Sequence, residues 1–311
     1  MRALITGSQG FVGRYLIREL QNHAWDITAF DLPPTAGPHS TVAYFQGDIR
    51  DKPAVEDVVR RSKPDACLHL SGMAFVPEGW TNTEDLFSIN VIGAIHVLEA
   101  CRKFAPKAKI LVISSAEVYG ERPDERTAGE QDSLAPANPY AVSKAAADQI
   151  ARLYARQHGL HTLIARPGNH IGPGQSVQFA VASFAAQLAE MAAGRGNEKI
   201  KVGNLESVRN FTDVRDVARA YRLLIEKGRP GEAYNIASEH EVTLRFILET
   251  LCGLVGAHPA VEIDPKRFRP GEHRPRLDVS KIARDAGWKP KIDLETTLRD
   301  IMNEARRLGA S

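Results

Sequence analysis

The sequence predicts an α/β protein, a doubly wound parallel sheet joined to a smaller, partly discontinuous C-terminal lobe. Three observations carry that prediction. A short apolar run, Ala3-Leu-Ile-Thr6, leads straight into Gly7-Ser-Gln-Gly-Phe-Val-Gly13, after which Tyr15, Leu16 and Leu20 recur at helical spacing. Strand-like and helix-like stretches then alternate strictly as far as Ser114, a pattern that builds parallel sheets with helices on both faces. Pro167 to Gly174 is a proline- and glycine-rich turn where the chain enters its second lobe.

The first strand, glycine turn and helix form the arrangement that a dinucleotide pyrophosphate requires. Gly7, Gly10 and Gly13 let backbone approach the phosphates, and Phe11 and Val12 open a helix whose free N–H groups and dipole attract them. A tight structural turn would use the same glycines. Asp26-Ile-Thr-Ala-Phe-Asp31 reads as the second strand, and Asp31 lies 18 residues beyond Gly13, near the spacing of a ribose-binding acid. There it would bond a ribose diol and repel a 2′-phosphate, favouring NAD(H) while leaving NADP(H) possible; alternatively it opens the turn before Pro33-Pro34. Val42-Ala-Tyr-Phe-Gln46 reads as a third strand leading to Asp48-Ile-Arg-Asp51. Asp48, with Ile49 beside it, either meets the adenine or caps the next helix.

Ala66-Cys-Leu-His-Leu70 is a buried-type strand, and Ser71-Gly-Met-Ala74 after it is small enough for a cofactor to lie against the backbone near Leu70. His69 reads as a packed strand histidine. Asn90 to Ala100 is an apolar helix and Lys109-Ile-Leu-Val-Ile-Ser114 another strand. Ser114-Ser-Ala-Glu-Val-Tyr-Gly120 follows at a carboxyl end, where open α/β sheets bind ligands. Ser115 could there bond a substrate oxygen and Glu117 move protons, or the two could be a strand-end cap and a solvated acid.

Asn138-Pro-Tyr-Ala-Val-Ser-Lys144 opens a helix with a good N-cap and a proline at its first position, and Gly159 supplies its stop. Tyr140 and Lys144, four residues apart, share a face. An ammonium beside the phenol and the positive helix end are expected to lower the tyrosine pKa towards neutrality, which carbonyl/alcohol chemistry needs. Taken alone, such a pair is common on surface helices.

Four features in one order resemble the extended short-chain dehydrogenase/reductase family, the nucleotide-sugar epimerases, dehydratases and reductases. They are the glycine turn, the segment ending Val118-Tyr-Gly120, the Tyr140 and Lys144 pair, and Asn169-His-Ile-Gly-Pro173. The resemblance implies a Rossmann-type NAD(P)-binding domain over 1–168 plus about 212–237, and a nucleotide-sugar-binding lobe over about 169–211 and 238–311. It implies that Ser115 orients the sugar oxygen, Tyr140 is the general acid/base, and Lys144 tunes it and holds the nicotinamide ribose. Asn169, Arg209, Arg269 and Glu272 become substrate ligands by the same comparison. A homodimer through Asn82 to Arg102 and Tyr140 to His158 is a further family expectation.

Within the family, Asn169 to Gln175, Val202-Gly-Asn-Leu205, Arg209 to Asp216 and Phe75-Val-Pro-Glu-Gly-Trp80 most resemble the GDP-6-deoxy-D-mannose reductases. These convert a GDP-linked 4-keto-6-deoxy sugar to GDP-D-rhamnose. Glu117 also matches the acid of GDP-mannose 4,6-dehydratases, so dehydratase and 4-epimerase readings stay open. A relative that binds dinucleotide without catalysis would be expected to lose Ser115, Tyr140 and Lys144, all present here.

The remaining composition sets bounds. In 311 residues, 43% hydrophobic and 25% charged content gives ample core and no expectation of disorder. A net charge of +2 is too small to make nucleic acid or membrane the main partner, although basic residues gather near Lys266 to Arg276. Cys67, Cys101 and Cys252 lack metal-ligand spacing, so no metal is expected and a reducing compartment, the cytoplasm, is favoured. No leader or spanning run is read.

Overall fold

The computed structural model describes residues 1–33, 42–121, 126–195, 198–239, 241–268 and 276–309. The chain opens with β1 (Arg2–Thr6), α1 (Phe11–Gln21), β2 (Asp26–Asp31), β3 (Ala43–Gln46), α2 (Lys52–Ser62) and β4 (Ala66–His69). Two short helices, α3 (Val76–Thr81) and α4 (Thr83–Phe87), lead through a π-helical turn, Ser88–Ile92, into α5 (Gly93–Phe104). After β5 (Lys109–Ile113) and a 3₁₀ turn, Ala116–Tyr119, come α6 (Pro139–His158), β6 (His161–Pro167), β7 (Asn169–Ile171), α7 (Ala180–Ala192), β8 (Lys199–Val202) and β9 (Val208–Asp213). The chain finishes with α8 (Val214–Lys227), β10 (Ala233–Ile236), β11 (Glu241–Thr243), α9 (Leu244–Val255), β12 (Ala260–Ile263), α10 (Ser280–Ala286) and α11 (Leu294–Gly309).

Among the described residues, seven strands form one parallel sheet in the order β10-β6-β5-β4-β1-β2-β3. The order reverses between β1 and β4, so their carboxyl ends open the crevice in which doubly wound sheets bind ligands. Both faces are buried. Leu16 and Leu20 of α1, Tyr221 and Leu224 of α8 and the wholly buried Trp288 cover one face; Val55, Val97, Leu98 and Ala151 of α2, α5 and α6 cover the other. The Trp288 indole donates to the Asp216 carbonyl at 2.9 Å, fixing that segment against the start of α8.

Strands β7, β9 and β11 make a three-stranded sheet, and β8 and β12 pair in parallel. These pack with α7, α9 and α11 around a separate core containing Phe184, Leu188, Ile247, Leu251, Leu298 and Met302. The expected helix over Asn90 to Ala100 is present but begins as the π-turn, with Asn90 facing inward. Val208–Asp213 is a strand ending in Asp213, whose carboxylate caps α8 through the Arg215 N–H at 2.7 Å.

Candidate active site

The glycine turn is shaped by backbone contacts. Gly7 has φ +68°, and a β-carbon there would lie 2.6 Å from the Ser71 nitrogen at the end of β4. One at Gly13 would lie 2.4 Å from the Ser8 carbonyl oxygen. Helix α1 has no side-chain cap and no acid in its first turn, so its N-terminal N–H groups face the crevice without a competing anion. This cradle, which side chains would fill, fits a dinucleotide pyrophosphate.

A cleft of about 1000 Å³ runs from this turn to the second lobe. Gly7, Gly10, Phe11, Val12, Gly13 and Leu70 of the glycine-turn region line it, together with Ser115, Glu117, Tyr140 and Lys144 and with Asn169 and Arg209. Most residues singled out in the sequence thus meet in one cavity. Arg269 and Glu272 lie outside the described residues.

Three of them do not line it. Asp31 ends β2, with its carboxylate accepting from the Gln9 N–H at 2.8 Å and the Leu32 N–H at 2.9 Å. It ties the end of β2 to the glycine turn. Asp48 is held by Arg50 in a fork of 2.6 to 3.0 Å contacts, which keeps its carboxyl below the usual range, and Arg50 also pairs with Asp85. Of the two roles weighed for Asp48, the helix cap falls to Asp51, which caps α2. Ile49 is a core residue, 5% exposed and packed where a Gly93 side chain would stand.

Helix α6 presents Tyr140 and Lys144 to the cleft, with the cap and stop that its sequence implies. The Asn138 side chain accepts from the Ala141 N–H at 2.8 Å, and Gly159 stops the helix with φ +65°. Lys144 is buried, and its Nζ donates to the Ile113 carbonyl at 2.9 Å. Burial lowers its pKa to about 8. Tyr140 departs from expectation, because enclosure by protein raises the phenol pKa and the hydrogen bond from Ser115 opposes that rise only in part. The ammonium points at a carbonyl, with its nitrogen 6.0 Å from the centre of the tyrosine ring, and does not offset the desolvation. Ser115 also accepts from the Glu117 N–H at 3.1 Å, and Asn138 donates to the Glu117 carboxylate at 3.3 Å. His69 is the packed histidine its strand suggests: Nδ1 lies 2.8 Å from the Thr6 hydroxyl, and burial with the nearby Lys144 charge lowers its pKa to about 3.

The structure adds residues that sequence reasoning missed. Asn90, 2% exposed, accepts from the Met73 N–H at 2.9 Å and donates to the Met73 carbonyl at 3.2 Å and the Ser143 hydroxyl at 2.9 Å. It ties the loop after β4 to α6. Below the same helix, Arg166 forks onto Asp148 at 2.7 and 3.2 Å and donates to the Tyr119 hydroxyl at 2.9 Å, all three being buried. On the substrate side, His170 stacks on Phe11 at 6.1 Å between ring centres, and the Tyr15 hydroxyl donates to the Pro173 carbonyl at 2.7 Å. The Asn169 loop is thereby seated on the helix of the glycine turn.

A parallel sheet with a glycine cradle at its switch point, and a serine, tyrosine and lysine converging beside it, define a NAD(P)-dependent enzyme of the extended short-chain dehydrogenase/reductase type. The comparisons narrow the class. The pattern of the GDP-mannose 4,6 dehydratase family matches residues 4–301, and the chain belongs to that family. It is 34% identical to the GDP-6-deoxy-D-mannose reductase of Pseudomonas aeruginosa, over 97% of this chain and 96% of that protein. It is 29% identical to dTDP-glucose 4,6-dehydratase 1 of Escherichia coli, over 96% and 91% respectively. Among solved structures, that of RMD from Pseudomonas aeruginosa complexed with NADPH superposes with a TM-score of 0.86, at 32% identity and 99% coverage of both chains. The Thermus thermophilus UDP-glucose 4-epimerase complex with NAD gives 0.89, at 28% identity and covering 98% of this chain and 99% of that one.

Proposed function

We propose that the chain reduces the 4-keto group of a nucleotide-linked 4-keto-6-deoxy sugar, converting GDP-4-keto-6-deoxy-D-mannose to GDP-D-rhamnose with NAD(P)H. The observation that carries this reading is the whole-length similarity to the Pseudomonas aeruginosa reductase, which exceeds that to the Escherichia coli dehydratase. Bound reduced nicotinamide supplies the hydride. Gly7 to Gly13 would hold the pyrophosphate and Lys144 the nicotinamide ribose, while Asp31, an anion at the end of β2, favours NADH over NADPH. Asn169 and Arg209 receive the substrate diphosphate side, a task suited to a planar guanidinium.

Tyr140 holds the proton that the new alkoxide needs. Its raised pKa keeps the phenol protonated, as a proton donor must be. Ser115 steadies the sugar oxygen, and the Lys144 cation stabilises negative charge developing beside it. Positioning and charge stabilisation supply the catalysis.

A dehydratase reading is favoured by one observation, the Glu117 carboxylate in the cleft wall. The two reactions differ in stoichiometry. A reductase oxidises one equivalent of NADH or NADPH per GDP-4-keto-6-deoxy-D-mannose and none with GDP-mannose. Conversion of GDP-mannose to a keto product without net cofactor oxidation would refute the reductase reading. As partner we propose a second copy of this chain: Ile92, Val142 and Leu153, on the two segments expected to pair, are 44%, 40% and 44% exposed.

A further inference from the structure

Trp80 is the part of the cleft wall that the chemistry above leaves unused. It lines the cavity together with Ser115, Glu117, Asn138 and Tyr140, yet is 64% exposed, whereas Trp25 and Trp288 are 8% and 0% exposed. Its position is fixed. Helix α3 rests on the first turn of α6, so that a β-carbon at Gly79 would lie 3.6 Å from the Tyr140 nitrogen and 3.9 Å from the Pro139 β-carbon. From the loop before α3, Phe75 meets Phe179 of the second lobe edge-on at 5.8 Å between ring centres. The indole therefore belongs to a helix packed on the first turn of α6, and most of its surface is open to the cleft and solvent.

An open aromatic face in a cleft that is also lined by a serine, a carboxylate and an amide makes a surface that is amphipathic in the way a pyranose ring is. The ring's C–H groups form an apolar face that suits the negative face of an indole, and its hydroxyls suit the polar side chains. We propose that Trp80 is a sugar-binding platform, covering the C–H face of the glycosyl ring of a nucleotide sugar and covered by it in turn. The proposal rests on the nucleotide-sugar reading of the cleft but is independent of the base and of the reaction catalysed.

Acrylamide quenching of tryptophan fluorescence reads this residue, because the other two tryptophans are buried. In the protein saturated with NAD⁺, GDP-mannose is expected to shield Trp80 several-fold, and GDP, which lacks the sugar, to leave quenching unchanged, with both affinities measured by calorimetry. Trp80→Ala should weaken GDP-mannose binding by roughly tenfold with GDP and NAD⁺ affinities unaltered, and Trp80→Phe should restore it while abolishing the quenchable signal. GDP-mannose bound without shielding, or a Trp80→Ala loss equal for GDP and GDP-mannose, would overturn the proposal. UDP-glucose and UDP form a second pair. If neither nucleotide sugar binds, the nucleotide-sugar reading falls and this inference falls with it.

Discussion

Replacing Asn90 by alanine should both destabilise the protein and loosen its cofactor site. The side chain makes three hydrogen bonds, two to the Met73 backbone and one to the Ser143 hydroxyl. Ser143 keeps its own bond to the Tyr140 carbonyl at 2.7 Å, so its hydroxyl still has an acceptor. The Met73 groups lose their protein partner here and must find water. At about 1 kcal/mol for each bond lost, the cost is about 3 kcal/mol, or a Tm drop of roughly 5 °C in a chain of this size. The functional part follows from Gly72, where a β-carbon would sit 3.0 Å from the Asn90 oxygen and 3.2 Å from the Lys144 nitrogen. A loop freed at Met73 moves beside the cation that would hold the nicotinamide ribose. Urea unfolding, repeated with saturating NADH, separates the two effects: the variant should lose stability alone and gain less from the cofactor than wild type does. A cycle with Ser143→Ala should show coupling, since the two side chains touch. Wild-type stability together with wild-type cofactor stabilisation would refute the role given to Asn90.

Other perturbations probe other parts of the account. Tyr140→Phe should bind cofactor and nucleotide sugar normally in calorimetry yet lose roughly a hundredfold or more in kcat. With Lys144 titrating at about 8 in the direction of charge loss, kcat/KM for reduction should hold below pH 8 and fall about tenfold per unit above it, while His69, neutral above about pH 3, leaves the profile unmarked. Gly13→Ala must push its β-carbon away from the Ser8 and Gly7 carbonyls, at 2.4 and 2.6 Å, so NADH titration should show binding weakened by roughly tenfold or more. Arg166→Met leaves Asp148 buried with, among the described residues, Arg152 at 3.0 Å as its remaining cationic partner; urea unfolding should show a loss of about 3 kcal/mol.

The glycine turn, the Tyr140 helix with its Asn138 cap and Gly159 stop, and the alternation of strand and helix were legible because each is local, written in spacing and turn chemistry. What escaped depends on distance or burial. Asn90 looks like any polar residue in an apolar helix, its partners lying 17 and 53 residues away. Asp148 and Arg166, on neighbouring elements, carry no sequence sign of sharing one buried site. Asp48 could not be seen to belong to Arg50, two residues on, because that pairing depends on side-chain direction. For Tyr140 the ammonium was visible in the sequence, but the desolvation that outweighs it was not.

The central claim is that hydride leaves the protein's cofactor for good and stays on the sugar. Incubating the protein with GDP-4-keto-6-deoxy-D-mannose and reduced nicotinamide cofactor deuterated at its transferable position, in each of the two stereochemical forms, tests that claim directly by mass spectrometry and NMR. The account predicts one deuterium at C4 of the product from one form of the label and none from the other. A product without deuterium from either form, or no consumption of the keto-sugar, would contradict it.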